Sequence, residues 1–214
     1  MIYRLFIDQE LKDHLSTLAH MRKLYTDSRY AYVPADTAHE DTSYYAKSHD
    51  VRMVAAFDNE TLVGIMMGLP LKDYCFPKYN LTSQDLFGHL SVPINDCFYI
   101  AEILIVPEYR TLDVASGMYQ RMEQTIKAST SYPHICSLVI AQGPEGGTRV
   151  HRPGSSSGVE LDDLEREYLT KHGFKRTNES VVFEYDTLQE DGLVGLAAHH
   201  LELWIKNIAR AHAA

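Results

Sequence analysis

A chain of 214 residues, 45% apolar and 23% charged, has the size and composition of one elaborated globular domain and not of a disordered or fibrous protein. Its formal net charge of -9 argues against a broad electrostatic grip on nucleic-acid phosphates and favours a cationic or amine-bearing acceptor. Three cysteines (Cys75, Cys97 and Cys136) are odd in number and lack CxxC spacing, which fits reduced thiols in the cytoplasm better than a disulfide framework or a zinc knuckle.

Residues 1–10 lack the basic lead and long apolar run of a secretory signal. The apolar stretch 62–71 holds two glycines and a proline and falls far short of the roughly 20 residues a membrane helix needs, so no membrane contact is expected. Residues 2–7 are a short β-type run. Leu11, Leu15, Leu18, Met21 and Leu24 recur at helical steps and predict one amphipathic helix over 9–25. A second, weaker helix is expected over 40–47, after Pro34, Asp36 and Thr37.

The period then changes to that of a sheet. Residues 51–57 and 61–69 form a hairpin around Asp58, Asn59 and Glu60. A long and mobile connection over 72–95, with a short helix around 83–89, leads to CFYIAEILIV at 97–106. A run that apolar is a central strand buried on both faces. It is followed by a helix over 113–129 carrying Val114, Met118, Met122 and Ile126, and by a strand over 135–141, which together make a parallel βαβ unit. A glycine-rich exposed loop fills 142–158, a helix over 161–172 closes at Gly173, and 181–185 is the last strand expected. Leu193, Ala197, Leu201, Trp204 and Ile208 predict a C-terminal helix. Residues 1–186 are thus read as the domain, and 187–214 as a helix packed on it or at a homodimer interface.

The most informative segment is Glu102-Ile-Leu-Ile-Val-Pro-Glu-Tyr-Arg-Thr-Leu-Asp-Val-Ala-Ser-Gly-Met118. Pro107 cannot donate a ladder hydrogen bond, so the strand is expected to stop or splay there. The next helix begins with unpaired N–H groups at the positive end of its dipole, a natural seat for a pyrophosphate. Arg110 adds a planar cation suited to phosphate oxygens.

This segment resembles motif A of the GNAT N-acetyltransferase superfamily, and Glu167-Tyr-Leu-Thr-Lys-His-Gly-Phe-Lys175 resembles its helix-closing Gly-Phe signature. The resemblance implies an α/β (α+β) fold: a mixed, mostly antiparallel sheet with a splayed parallel pair, flanked by helices, plus the C-terminal helix. It also implies acetyl-coenzyme A as cosubstrate. Leu104, Ile105 and Val106 would pair with the pantetheine arm, and Arg110, Thr111, Leu112, Asp113, Val114, Ala115 and Ser116 would wrap the pyrophosphate. Asp113 stands where the pattern has its first glycine; its carboxylate could cap the helix and brings negative charge near an anionic ligand.

The implied reaction is transfer of an acetyl group to a primary amine of a small molecule or peptide by direct attack on the thioester. Glu102 interrupts the apolar strand beside the proposed thioester, where desolvation would raise its pKa, and is the base candidate; the alternative is a carboxylate hydrogen-bonded at a sheet margin. Tyr168 is the acid candidate or else a packing tyrosine. It lies one residue before the position the family uses, now Leu169, a rotation of about 100° on a helix. Tyr30, Tyr32, Tyr44 and Tyr45 fall in the region expected to meet the acceptor. His199, His200 and His212 lack a metal-ligand spacing, and no metal is expected. A non-catalytic acyl-CoA sensor on the same fold is the alternative function.

Overall fold

The computed structural model describes residues 1–26, 45–76, 81–89, 93–140, 161–188 and 194–208. Most of the helix expected over 40–47, Tyr30, Tyr32 and Tyr44, and the glycine-rich stretch lie outside the described residues; a helical turn is present at 45–47. In chain order the elements are β1 (Ile2–Ile7), α1 (Asp8–Asp13), α2 (Leu15–Thr26), β2 (Arg52–Asp58), β3 (Thr61–Pro70), β4 (Cys75–Phe76), β5 (Leu81–Thr82) and α3 (Ser83–Phe87). There follow β6 (Cys97–Ile105), α4 (Leu112–Ser129), β7 (His134–Ile140), α5 (Leu161–Lys171), β8 (Lys175–Leu188) and β9 (Val194–Asn207). Seven strands form one sheet in the order β1-β2-β3-β6-β7-β9-β8. Its pairings are antiparallel except that of β6 with β7, the parallel pair expected from the sequence.

Helices cover both faces. Leu11, Leu18 and Met21 pack on Phe6, Met53, Met67 and Tyr99 on one face. On the other, the α4 stripe Val114, Met118, Met122 and Ile126 joins Tyr168 and Leu169 of α5 over Val54, Met66, Ile100 and Val139. Each fully buried side chain of this size contributes about 1.5–3 kcal/mol, which explains why β6, apolar on both faces, occupies the middle of the sheet. Helix α5 stops as predicted. Gly173 has φ 81°, its N–H reaches Thr170 O and the Phe174 N–H reaches Leu169 O, the paired bonds of a Schellman closure.

Three expectations are corrected. The helix predicted over 9–25 is two helices that break at His14, whose ring meets Phe6 edge-on with centroids 4.3 Å apart. In the connection over 72–95 the short helix expected around 83–89 stands as α3, but β4 and β5 were not expected, and Leu86 and Phe87 are buried in the α1/α2 core.

The third concerns 187–214. Most of the proposed C-terminal helix is strand β9, which lies inside the sheet between β7 and β8, and β8 itself runs through the proposed boundary at 186. The reason is a period of two. Leu201, Leu203 and Ile205 face the α1/α2 core, while Trp204 faces the α4/α5 core. The helical stripe read from sequence therefore mixed residues from opposite faces of a strand.

Candidate active site

Strands β6 and β7 pair over four positions, from Cys97 opposite His134 to Ile100 opposite Ser137, and no further, although β6 continues to Ile105 and β7 to Ile140. The parting begins where β6 bulges. Met67 of β3 pairs with Glu102 and Gly68 with Ile100, leaving Ala101 as the extra residue. It therefore starts several residues before Pro107, where the sequence placed it. Beyond the bulge the Val106 N–H donates to Val63 O, on β3. Backbone groups alternate along a strand, so the N–H and C=O of Ile103 and Ile105 turn away from β3, into the gap.

The mouth of this gap is the turn into α4. Pro107–Tyr109 is a single 3₁₀ turn, tied to the β2–β3 hairpin by the Tyr109 hydroxyl, which donates to Asp58 Oδ2 at 3.0 Å. Thr111 is the N-cap of α4, its Oγ1 accepting from the Val114 N–H at 3.4 Å. Capping thus falls to Thr111, while Asp113 is exposed in the first turn, its carbonyl oxygen accepting from the Tyr3 hydroxyl at 3.3 Å. The Tyr3 ring lies where a Cβ on Gly117 would sit, so this glycine lets β1 and α4 approach. Val114 and Ala115 are buried, Ser116 is half-buried and Thr111 exposed. The half-buried Arg110 folds back, its Nε donating to Ile105 O at 3.0 Å, which holds the guanidinium at the mouth of the gap.

Glu102 is half-buried on β6. Before the bulge Cys97 and Tyr99 face the α1/α2 core; after it, Leu104 does, while Ile103 and Ile105 face α4. This change of parity puts Glu102 on the α1/α2 face, at the end of a row made by Phe6, Met53 and Met67. The Tyr45 hydroxyl donates to Glu102 Oε2 at 3.5 Å.

Tyr168 lies on the other face. It is wholly buried, with rings of Tyr119 and His172 stacked on it, each at 4.0 Å between centroids. Burial, reinforced by the charge of Glu123, pushes its phenol well above the ordinary tyrosine value, and its hydroxyl has no hydrogen-bond partner among the described residues. Burial, then the charges of Lys206 and Lys171, lower His172. Sequence reading missed three contributors: Thr111 as the cap, Tyr45 as partner of Glu102, and Ile103 as a main-chain wall of the gap. A threonine one residue before a helix was a readable signal; the pairing of Tyr45 with Glu102, 57 residues apart, had none.

No protein-family model and no curated protein sequence matches this chain. Solved structures do match its fold. An aminoglycoside 6'-acetyltransferase type Ii superposes with a TM-score of 0.55 at 14% identity, covering 97% of each chain. yncA of Salmonella typhimurium, an acetyltransferase candidate solved with its cofactor acetyl-CoA, gives 0.57 at 10% identity over 99% of this chain and 96% of that one. The ribosomal-protein-S18-alanine N-acetyltransferase of Escherichia coli gives 0.54 at 10% identity, over 99% and 97%. The chain has the fold of the GNAT N-acetyltransferases.

Proposed function

We propose that this protein is an N-acyltransferase that transfers an acetyl group from acetyl-coenzyme A to a primary amine, the amine attacking the thioester directly. What supports the reading above all is the parting of β6 from β7 beside the capped N-terminus of α4. The neighbours named above include one described as an aminoglycoside acetyltransferase, one described as a ribosomal-protein-alanine acetyltransferase and one solved with acetyl-CoA. A small-molecule or peptide amine is accordingly the acceptor class we assign, and three cysteines outside any disulfide suit a cytoplasmic setting.

The main-chain groups of Ile105, within the stretch Leu104 to Val106, and of Ile103 just before it would hold the pantetheine arm, and Arg110 with the first N–H groups of α4 the pyrophosphate. Bound there, acetyl-CoA supplies the activated acyl group. Glu102 accepts the proton that the amine loses as its nitrogen bonds to the acyl carbon. Tyr168 is the group we assign to protonate the sulfur as the carbon–sulfur bond breaks. Replacing Glu102→Gln is expected to lower kcat about 100-fold or more, flatten the acid side of the pH profile and leave coenzyme A affinity by calorimetry unchanged. An unaltered rate across pH would remove Glu102 from the mechanism.

The exposed Asp113 carboxylate in the first turn of α4 favours a second reading, a non-catalytic acyl-CoA sensor. Thiol release from acetyl-CoA with a panel of amines separates the two. Binding without turnover selects the sensor; absence of binding overturns both.

A further inference from the structure

We infer that Tyr45 is a positioning residue for Glu102, its hydroxyl fixing the carboxylate on the α1/α2 face of the sheet so that it is aimed toward the acceptor. The inference rests on the reading of Glu102 as the base. Three observations lead to it. The bulge at Ala101 sends Glu102 to the α1/α2 face, where an unbulged strand would have sent it toward α4. On that face its row is apolar: Phe6, Met53 and Met67 are all buried. A carboxylate closing such a row needs hydrogen-bond donors to remain charged. Tyr45, itself only 2% exposed and part of the same core, brings its hydroxyl to 3.5 Å from Glu102 Oε2. That is a long hydrogen bond, of the kind that shortens when a reactive complex forms.

The position of Tyr45 gives the contact a direction. Tyr45 is also among the residues around a hollow between the α1 residues Asp8 to Lys12 and the segment Ala46 to Val51. One tyrosine thus borders both the proposed base and a polar recess on the acceptor side. Carbon–carbon packing alone would be served as well by phenylalanine; the hydroxyl toward Glu102 is what phenylalanine lacks.

The substitution that tests this is Tyr45→Phe, which keeps the ring. The acid limb of the pH–rate profile should move up by about one pH unit, because a donor to the charged carboxylate is gone. At pH values on that limb kcat should fall roughly tenfold, with KM for acetyl-CoA unchanged. Asp8, Lys12, Lys47, His49 and Asp50 around the hollow, and His14 against Phe6, are all retained, so the movement reports on the hydroxyl. In a Glu102→Gln background the same change should add nothing.

A second readout does not depend on turnover. Carboxyl-carbon NMR titration of glutamate-labelled protein, with the Glu102 signal identified by its loss in Glu102→Gln, should show a higher midpoint in Tyr45→Phe than in the parent. An unmoved midpoint, or additive losses in the double variant, overturns the inference. A moved midpoint in a protein that releases no thiol with any amine would sustain the pairing while refuting the assignment as an acyltransferase.

Discussion

The two faces of the sheet hold their charges differently. On the α4/α5 face, Glu123 contacts Lys127 at 2.6 Å and Lys206 at 2.9 Å, and Glu202 contacts Arg176 at 2.8 Å. Burial alone would raise Glu123, but its hydrogen bonds to the two lysines outweigh it and hold the carboxyl below the usual glutamate range. On the α1/α2 face, Glu102 meets the Tyr45 hydroxyl at 3.5 Å across an apolar row. A carboxylate gripped by cations gives up its affinity for a proton and serves packing. Glu102 instead stands beside the parting strands, with a neutral hydroxyl among its contacts. The comparison predicts that substitutions of the ion-paired carboxylates on the first face act mainly on stability, and those at Glu102 on rate.

The severest test of that division is Glu202→Ala. Only 6% exposed, this carboxylate lies between Arg176 and the largely buried Arg166, whose Nε is 3.9 Å away. Because Arg176 is itself exposed, loss of the carboxylate should cost about 2 kcal/mol in urea denaturation, the scale for a buried carboxylate losing a charge-assisted hydrogen bond. A loss under about 1 kcal/mol would erase the contrast.

Tyr168→Phe sharpens it from the other side. Removing a buried hydroxyl that has no partner among the described residues should leave stability unchanged or raise it by up to about 1 kcal/mol. Turnover should nonetheless fall about tenfold if the phenol protonates the thiolate. An unchanged kcat would return Tyr168 to the core and leave the sulfur to depart without a dedicated acid.

The smallest effect belongs to His172. Its folded-state pKa lies below the ordinary 6.5, so just below that pH the unfolded chain binds more protons. Stability contributed by the neutral ring is present above the unfolded value and lost as pH falls through the folded one. Urea midpoints measured on either side of pH 6.5 should differ less in His172→Phe than in the parent. An equal difference would assign the dependence to other groups.

How much of this was legible in the chain follows from where the information lies. The run at 97–106 and the stripe on α4 are local patterns, and both elements stand where the periodicity put them. Gly173 closes α5 as a left-handed residue should. The bulge at Ala101 was invisible because it exists only as a register between β6 and β3. Strand β9 was read as a helix because its apolar residues satisfy both periods, and the open edge of β7 that selects the strand lies 61 residues or more away in sequence, from Ile140 to Leu201. Local pattern fixed the elements flanking the gap; long-range pairing fixed where the gap begins and what faces it.

The placement of β9 bears on how the molecule is made. Because β9 lies between β7 and β8 in the sheet, ribosomal synthesis delivers both before the strand that unites them. Until residues 194–207 emerge, β7 presents an unpaired edge and β8 has no place in the sheet. The wall on one side of the gap is therefore completed late, and a nascent chain arrested near residue 190 would display a sticky edge beside the proposed acyl-donor seat.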